Sequence, residues 1–180
     1  MTIIHAVNRL HTAFIPRLLT PVVEESLRQF PVVVLTGARQ TGKSTLVQRL
    51  PSAGARRYLT LDDLDLQARA RHAPDVVLEE GDRLTLDEVQ RAPDLLLAIK
   101  RAVDRERRKG AFLLTGSANL LLMRKVPESL AGRAAYLTLL PMTEREKRGS
   151  PDPGPWGRLV KAESTKDLAR GLEGNGRVTA

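Results

Sequence analysis

The chain has 180 residues, 42% of them hydrophobic and 28% charged, which suits one ordinary globular domain and excludes wholesale disorder. It has no cysteine and only the scattered histidines His5, His11 and His72, which excludes a disulfide scaffold, a thiolate metal centre and a His-rich one. A net charge of +8, from 29 basic residues (most of them Arg) against 21 acidic ones, suits phosphorylated ligands and makes DNA a conceivable partner. Apolar runs such as Pro31 to Leu35 fall far short of the roughly 20 residues of a membrane span. Met1 to Arg9 does not read as a signal peptide. The expectation is a cytoplasmic protein without a membrane partner.

Along the chain, Thr20-Pro21 is expected to cap a helix through Phe30. Val32 to Thr36 is a continuous β-branched and apolar run between Pro31 and Gly37, the pattern of a strand buried on both faces. A helix from about Lys43 to Leu50 follows, stopped by Pro51. Arg57 to Leu61 is the second predicted strand. Asp62 then caps a helix through about His72. Arg83 to Asp87 is the third strand, and Pro93 opens a helix to about Lys109 that Gly110 ends. Ala111 to Thr115 and Ala135 to Leu139 are the fourth and fifth strands. This β-α-β spacing predicts an α/β fold, a parallel sheet with helices on both faces, over residues 1–145. Residues 146–180 read as a Pro/Gly-rich linker and a poorly ordered tail, because Gly149 to Gly157 cannot hold a helix.

Gly37-Ala38-Arg39-Gln40-Thr41-Gly42-Lys43-Ser44 matches the P-loop pattern and sits between a predicted strand and a predicted helix, the context the pattern needs. With this composition such a match would arise by chance in roughly one chain in 250. The glycines let the backbone N–H groups turn toward a phosphate. Lys43 is expected to reach the β- and γ-phosphates, and Ser44 to reach Mg2+ through its hydroxyl. Thr45 follows in the same loop and belongs to the binding set.

Asp87-Glu88 ends the third strand about 40 residues later. That is where a Walker B pair must lie: Asp87 in the Mg2+ shell, Glu88 to orient and deprotonate the attacking water. The fourth strand ends in Thr115-Gly-Ser117-Ala-Asn119, where a hydroxyl or amide can position that water. Ser117 is the first candidate and Asn119 the second. Arg133, ahead of the fifth strand, is a candidate arginine finger acting on a neighbouring subunit's nucleotide, which would make the protein a homo-oligomer; Arg124 competes for the role. The cluster Arg101, Arg105, Arg107, Arg108 and Lys109 reads as a solvated helix end rather than a DNA groove. No Asn-Lys-x-Asp element for guanine is present, so ATP is the expected nucleotide.

Taken together, Phe14 to Leu19, Leu35 to Thr45, Leu86 to Leu97, Leu114 to Leu122 and Ser129 to Arg133 resemble the prokaryotic AAA-type ATPases known as ATP-binding proteins. The resemblance spans roughly residues 12 to 145. It implies an AAA+-like P-loop domain with strand order 5-1-4-3-2, in which Lys43, Ser44, Asp87 and Glu88 carry over directly, Ser117 takes the sensor position and Arg133 the Arg of the Ala-Gly-Arg element. Ala38 stands where the group more often has proline. Members usually carry a large C-terminal domain, so this chain reads as a truncated one. The expected activity is Mg2+-dependent ATP hydrolysis. The rivals are a nucleotide-gated interaction module with little turnover, and a small-molecule kinase, against which the Asp-Glu pair argues.

Overall fold

The computed structural model describes residues 14–117 and 130–149. Helix α1 spans Thr20–Gln29, followed by β1 (Val32–Gly37) and α2 (Lys43–Gln48). Then come β2 (Arg57–Thr60), α3 (Leu64–His72), α4 (Pro74–Leu78), β3 (Leu84–Asp87), α5 (Asp94–Arg105), β4 (Phe112–Ser117), β5 (Ala134–Thr138) and α6 (Glu144–Lys147). The strands form one sheet in the order β2-β3-β4-β1-β5. Every pairing is parallel, with Val32 opposite both Phe112 and Ala134. This is the sheet order that the family resemblance implies.

The uninterrupted apolar reading of β1 has a direct cause. Successive side chains leave opposite faces of a strand, and both faces here are covered. Val32 and Val34 pack with Leu84, Leu86, Phe112 and Leu114 under α3, α4 and α5. Val33 and Leu35 pack with Leu113, Leu46, Val47 and Leu27 under α1 and α2. Each such fully buried Val or Leu contributes about 1.5–3 kcal/mol relative to exposure. The stiff central strand that results carries the loop after it.

Several boundaries differ from expectation for local reasons. Leu19, not Thr20, holds the N-cap position of α1, because the Thr20 N–H already donates to the Arg17 carbonyl in the preceding turn. Asp63 rather than Asp62 caps α3, its Oδ1 accepting from the Asp65 and Leu66 N–H groups. α5 stops at Arg105 because Glu106 is extended. Gly110 serves β4 instead: it turns the chain at φ +66, in a place where a Cβ would lie 2.7 Å from the Leu27 carbonyl oxygen. The short α4, which the sequence pattern did not reveal, buries Val77 in the α3/α5 layer. α6 crosses the expected boundary at residue 145. Asn119, Arg124, Ser129 and the tail from 150 onward lie outside the described residues.

Candidate functional site

The loop expected from the glycine pattern fills the interval between β1 and α2, at the C-terminal edge of the sheet. Gln40 at φ +63 and Gly42 at φ +89 carry its bend. The Thr41 hydroxyl donates to the Ala38 carbonyl at 2.9 Å, closing the turn from inside. Lys43 is buried, and its Nζ donates to the carbonyls of Gly37 (3.1 Å) and Ala38 (2.9 Å). The ammonium therefore lies folded over the start of the loop, on two neutral acceptors that an anion can outcompete. Arg39, Gln40, Gly42, Lys43, Ser44 and Thr45 line a cleft of about 400 Å³. Glu88 closes its far side, so β3 delivers this acid to the same space as the loop.

Asp87 ends β3 and is 3% exposed. Both of its oxygens accept from neutral hydroxyls: Oδ2 from Tyr58 at 2.5 Å, and Oδ1 from Thr115. The same Thr115 oxygen accepts from the Glu88 N–H at 3.2 Å, at the point where Glu88 takes the left-handed conformation of φ +58. Gln90 donates to Glu88 Oε2. Burial, reinforced by Asp87, pushes the Tyr58 hydroxyl up to about 12, so it is a proton donor throughout the ordinary pH range. Neither hydroxyl neutralises the Asp87 charge. Among the described residues no three His, Cys, Asp or Glu side chains are grouped to cage a metal. One buried carboxylate plus the Ser44 hydroxyl is the donor set that Mg2+ tolerates, because that ion retains waters and takes phosphate oxygens.

Ser117 ends β4 half-buried and lies in register with Gly37, beside the start of the loop. Arg133 lies at the other end of the sheet. It precedes β5, whose Ala134 is opposite Val32, so it stands a full strand from the loop, roughly 20 Å by strand rise. There its Nε donates to Asp104 at 2.5 Å. In the basic cluster, of which only Arg101 and Arg105 lie on α5 and the rest follow it, Arg101 pairs with Asp75, Arg108 with Asp82, and Arg107 donates to the Gly132 carbonyl.

Sequence reasoning missed Thr115 and Tyr58, whose roles arise only when β2, β3 and β4 pair. A hydroxyl directly after the apolar run Phe112 to Leu114, still within the strand, was the one available signal for Thr115. It also missed the buried Arg17 and Glu146, described below. Beside the loop, Phe14, Ile15, Leu46 and Met142 line a mainly apolar cavity of about 310 Å³ that reaches Gly42 and Thr45.

With β4 between the loop-bearing strand and the acidic strand, Lys43 and Glu88 line one cleft and Ser117 stands in register with Gly37, and that arrangement defines an AAA-type P-loop nucleoside triphosphatase domain. The chain belongs to the AAA domain family, whose model matches residues 29–147. It is 36% identical over 159 residues to uncharacterized proteins of Mycobacterium bovis and Mycobacterium tuberculosis, matching over 84% of its own length and 36% of theirs. It thus spans little more than a third of those relatives. Among solved structures, the fold is similar to the Walker-type ATPase PABY2304 of Pyrococcus abyssi, with TM-score 0.57, 18% identity, and coverage of 89% of this chain and 63% of that one. It is also similar to AMPPCP-bound DnaA from Aquifex aeolicus, with TM-score 0.53, 17% identity, and coverage of 93% and 60%. Among the described residues, no helix is long and apolar enough to cross a membrane.

Proposed function

We propose that this domain binds ATP with Mg2+ and hydrolyses it to ADP and phosphate. The observation that carries the reading is the shared cleft: the loop residues around Lys43 and Ser44 face Glu88 across one space. The triphosphate lies along the loop N–H groups, and Lys43 exchanges its two carbonyls for phosphate oxygens. Ser44 and Asp87 would hold Mg2+, which supplies neutralisation of charge on the β- and γ-phosphates when bound. The adenine fits the cavity beside Phe14, Ile15 and Met142, whose walls are mainly apolar.

Glu88 orients a water and takes its proton as the water oxygen attacks the γ-phosphorus. The bond from that phosphorus to the β–γ bridging oxygen breaks, and its electron pair leaves with ADP. Gln90 holds one Glu88 oxygen. A general base needs only the other. In this reading Ser117, which is level with Gly37, assists the water.

A second reading is favoured by one observation: Arg133 is a strand length from the loop of its own chain and is paired with Asp104. If its role is in trans, a lone domain binds nucleotide and turns over slowly, as a switch. We do not extend either reading to DNA, because three of the five cations in the basic cluster are already engaged.

Phosphate release from Mg-ATP, measured across a tenfold range of protein concentration with Lys43→Ala as the blank, separates the two. Specific activity that rises with concentration supports an assembled ATPase. Turnover that is measurable and flat supports a self-sufficient site. No release above the blank, with ATP still bound, leaves the switch. Glu88→Gln should lower turnover by about 10²- to 10⁴-fold while nucleotide affinity is retained.

A further inference from the structure

Arg17 and Glu146 take no part in the reaction above, yet both are buried, and they meet across 129 positions of sequence. Arg17 uses all three guanidinium nitrogens. Nε donates to Glu146 Oε1 at 2.9 Å, Nη1 to the Thr41 carbonyl at 2.7 Å, and Nη2 to the Leu140 carbonyl at 2.6 Å. Glu146 is held in turn: Oε1 accepts from the Leu18 N–H at 2.8 Å, and Oε2 from the Thr143 N–H at 2.8 Å. A planar fork aligned this firmly on one edge has little freedom in where its other edge points.

That other edge points at the phosphate loop. In a trans peptide the carbonyl of one residue and the N–H of the next lie in one plane and point in opposite directions. Holding the Thr41 carbonyl therefore fixes the direction of the Gly42 N–H. Arg17 lies on the side of the apolar cavity, whereas Gly42 also lines the phosphate cleft. The Gly42 N–H is thus turned away from Arg17, toward that cleft. Without this hold the plane is easily reversed, because Gly42 has no Cβ to resist rotation. A reversed plane would present a carbonyl oxygen to an anion. Setting the donor beforehand removes a reorganisation that binding would otherwise have to drive.

We propose that Arg17 is a positioning residue of the phosphate loop, which presets the Gly42 N–H for the β-phosphate, and that Glu146 aligns the guanidinium for this task. The proposal rests on the reading that this loop takes the phosphates of ATP.

The test is calorimetric binding of ATP and of AMP, which lacks the β-phosphate, to the wild type, Arg17→Lys and Glu146→Gln. Lysine keeps the charge but cannot make the fork. Arg17→Lys should weaken ATP roughly tenfold, about the loss of one charge-assisted hydrogen bond, and leave AMP within about twofold. Glu146→Gln should weaken ATP severalfold with the same selectivity. ATP affinity unchanged in both variants overturns the proposal, and so does equal weakening of ATP and AMP, which would mark general loosening. If Arg17→Lys does not fold, Glu146→Gln decides by the same criteria. In the wild type, the Gly42 amide proton resonance should move downfield with ATP and stay in place with AMP; a Gly42 signal indifferent to ATP overturns the proposal without any variant. A wild type that binds no ATP refutes the nucleotide reading itself, a result separate from those.

Discussion

The Thr115 hydroxyl donates a hydrogen bond to Asp87 and accepts one from the Glu88 N–H, so a single oxygen orders both acids of the site. Thr115→Val keeps the shape of the side chain and removes both contacts. It leaves the Glu88 N–H without this acceptor and deprives the buried Asp87 carboxylate of one of its two hydroxyl donors. The expected loss of stability is about 1–3 kcal/mol, read as a lower urea midpoint at unchanged slope. Under the proposed hydrolysis, turnover should fall further than ATP affinity, because there the acids would act on the reaction more than on binding. Tyr58 offers a milder counterpart. Tyr58→Phe removes one donor from Asp87 and leaves Thr115 in place, so it should raise the Mg2+ concentration needed for half-maximal turnover. Because burial and Asp87 push the Tyr58 hydroxyl up to about 12, the wild type should show no loss of rate from this group below about pH 10.

At the scale of elements, β1 was readable because its cause is local: a β-branched run between Pro31 and Gly37 suits a strand covered on both faces. The exit from β1 is more tightly specified than the motif suggests. The Leu139 N–H donates to the Thr36 carbonyl at 2.7 Å, bringing the end of β5 against the loop. A Cβ on Gly37 would then lie 2.4 Å from the Leu139 carbonyl oxygen, which is backbone and cannot swing aside. Gly37→Ala should therefore cost about 2–3 kcal/mol in urea unfolding. Gly54→Ala, which meets nothing within 4 Å, is the control and should be near neutral. α4 illustrates the opposite case. Its five residues are too few to show a period, and it holds because Val77 seats in the layer formed by α3 and α5.

At the scale of the whole molecule, the Arg17–Glu146 pair joins the chain before α1, the phosphate loop, the segment after β5, and α6. Burial alone would raise the Glu146 carboxyl, but the Thr143 and Leu18 amides and the Arg17 guanidinium outweigh it and hold the group below its ordinary 4.5. A carboxyl that is more acidic when folded stabilises the fold above its unfolded pKa, and that contribution is lost as pH falls through the folded value. The urea midpoint should therefore drop as pH is lowered below about 4.5, and Glu146→Gln should flatten that part of the profile while lowering the plateau above it. Arg133, paired with Asp104 just ahead of β5, stands a strand length from the loop of its own chain, so the concentration dependence of turnover is the axis that tests whether it acts on a neighbouring copy.

The position of the glycine-bearing loop after β1, and of the two acids at the end of β3, was legible in the sequence. Those signals are local: two glycines, Lys43 and Ser44 act through eight consecutive residues, and Asp87-Glu88 through the end of one strand. The central strands were legible for the same reason, since β1 and β4 carry their own apolar runs. The support of the loop and the acids was not legible in this way. Tyr58 and Thr115 reach Asp87 from 29 and 28 positions away, and Arg17 reaches Thr41 from 24 and Glu146 from 129. Such contacts depend on which strands become neighbours and where the chain returns. A buried arginine or threonine leaves no periodic trace of its partner in the sequence, so its role becomes visible only when the fold has brought the two together.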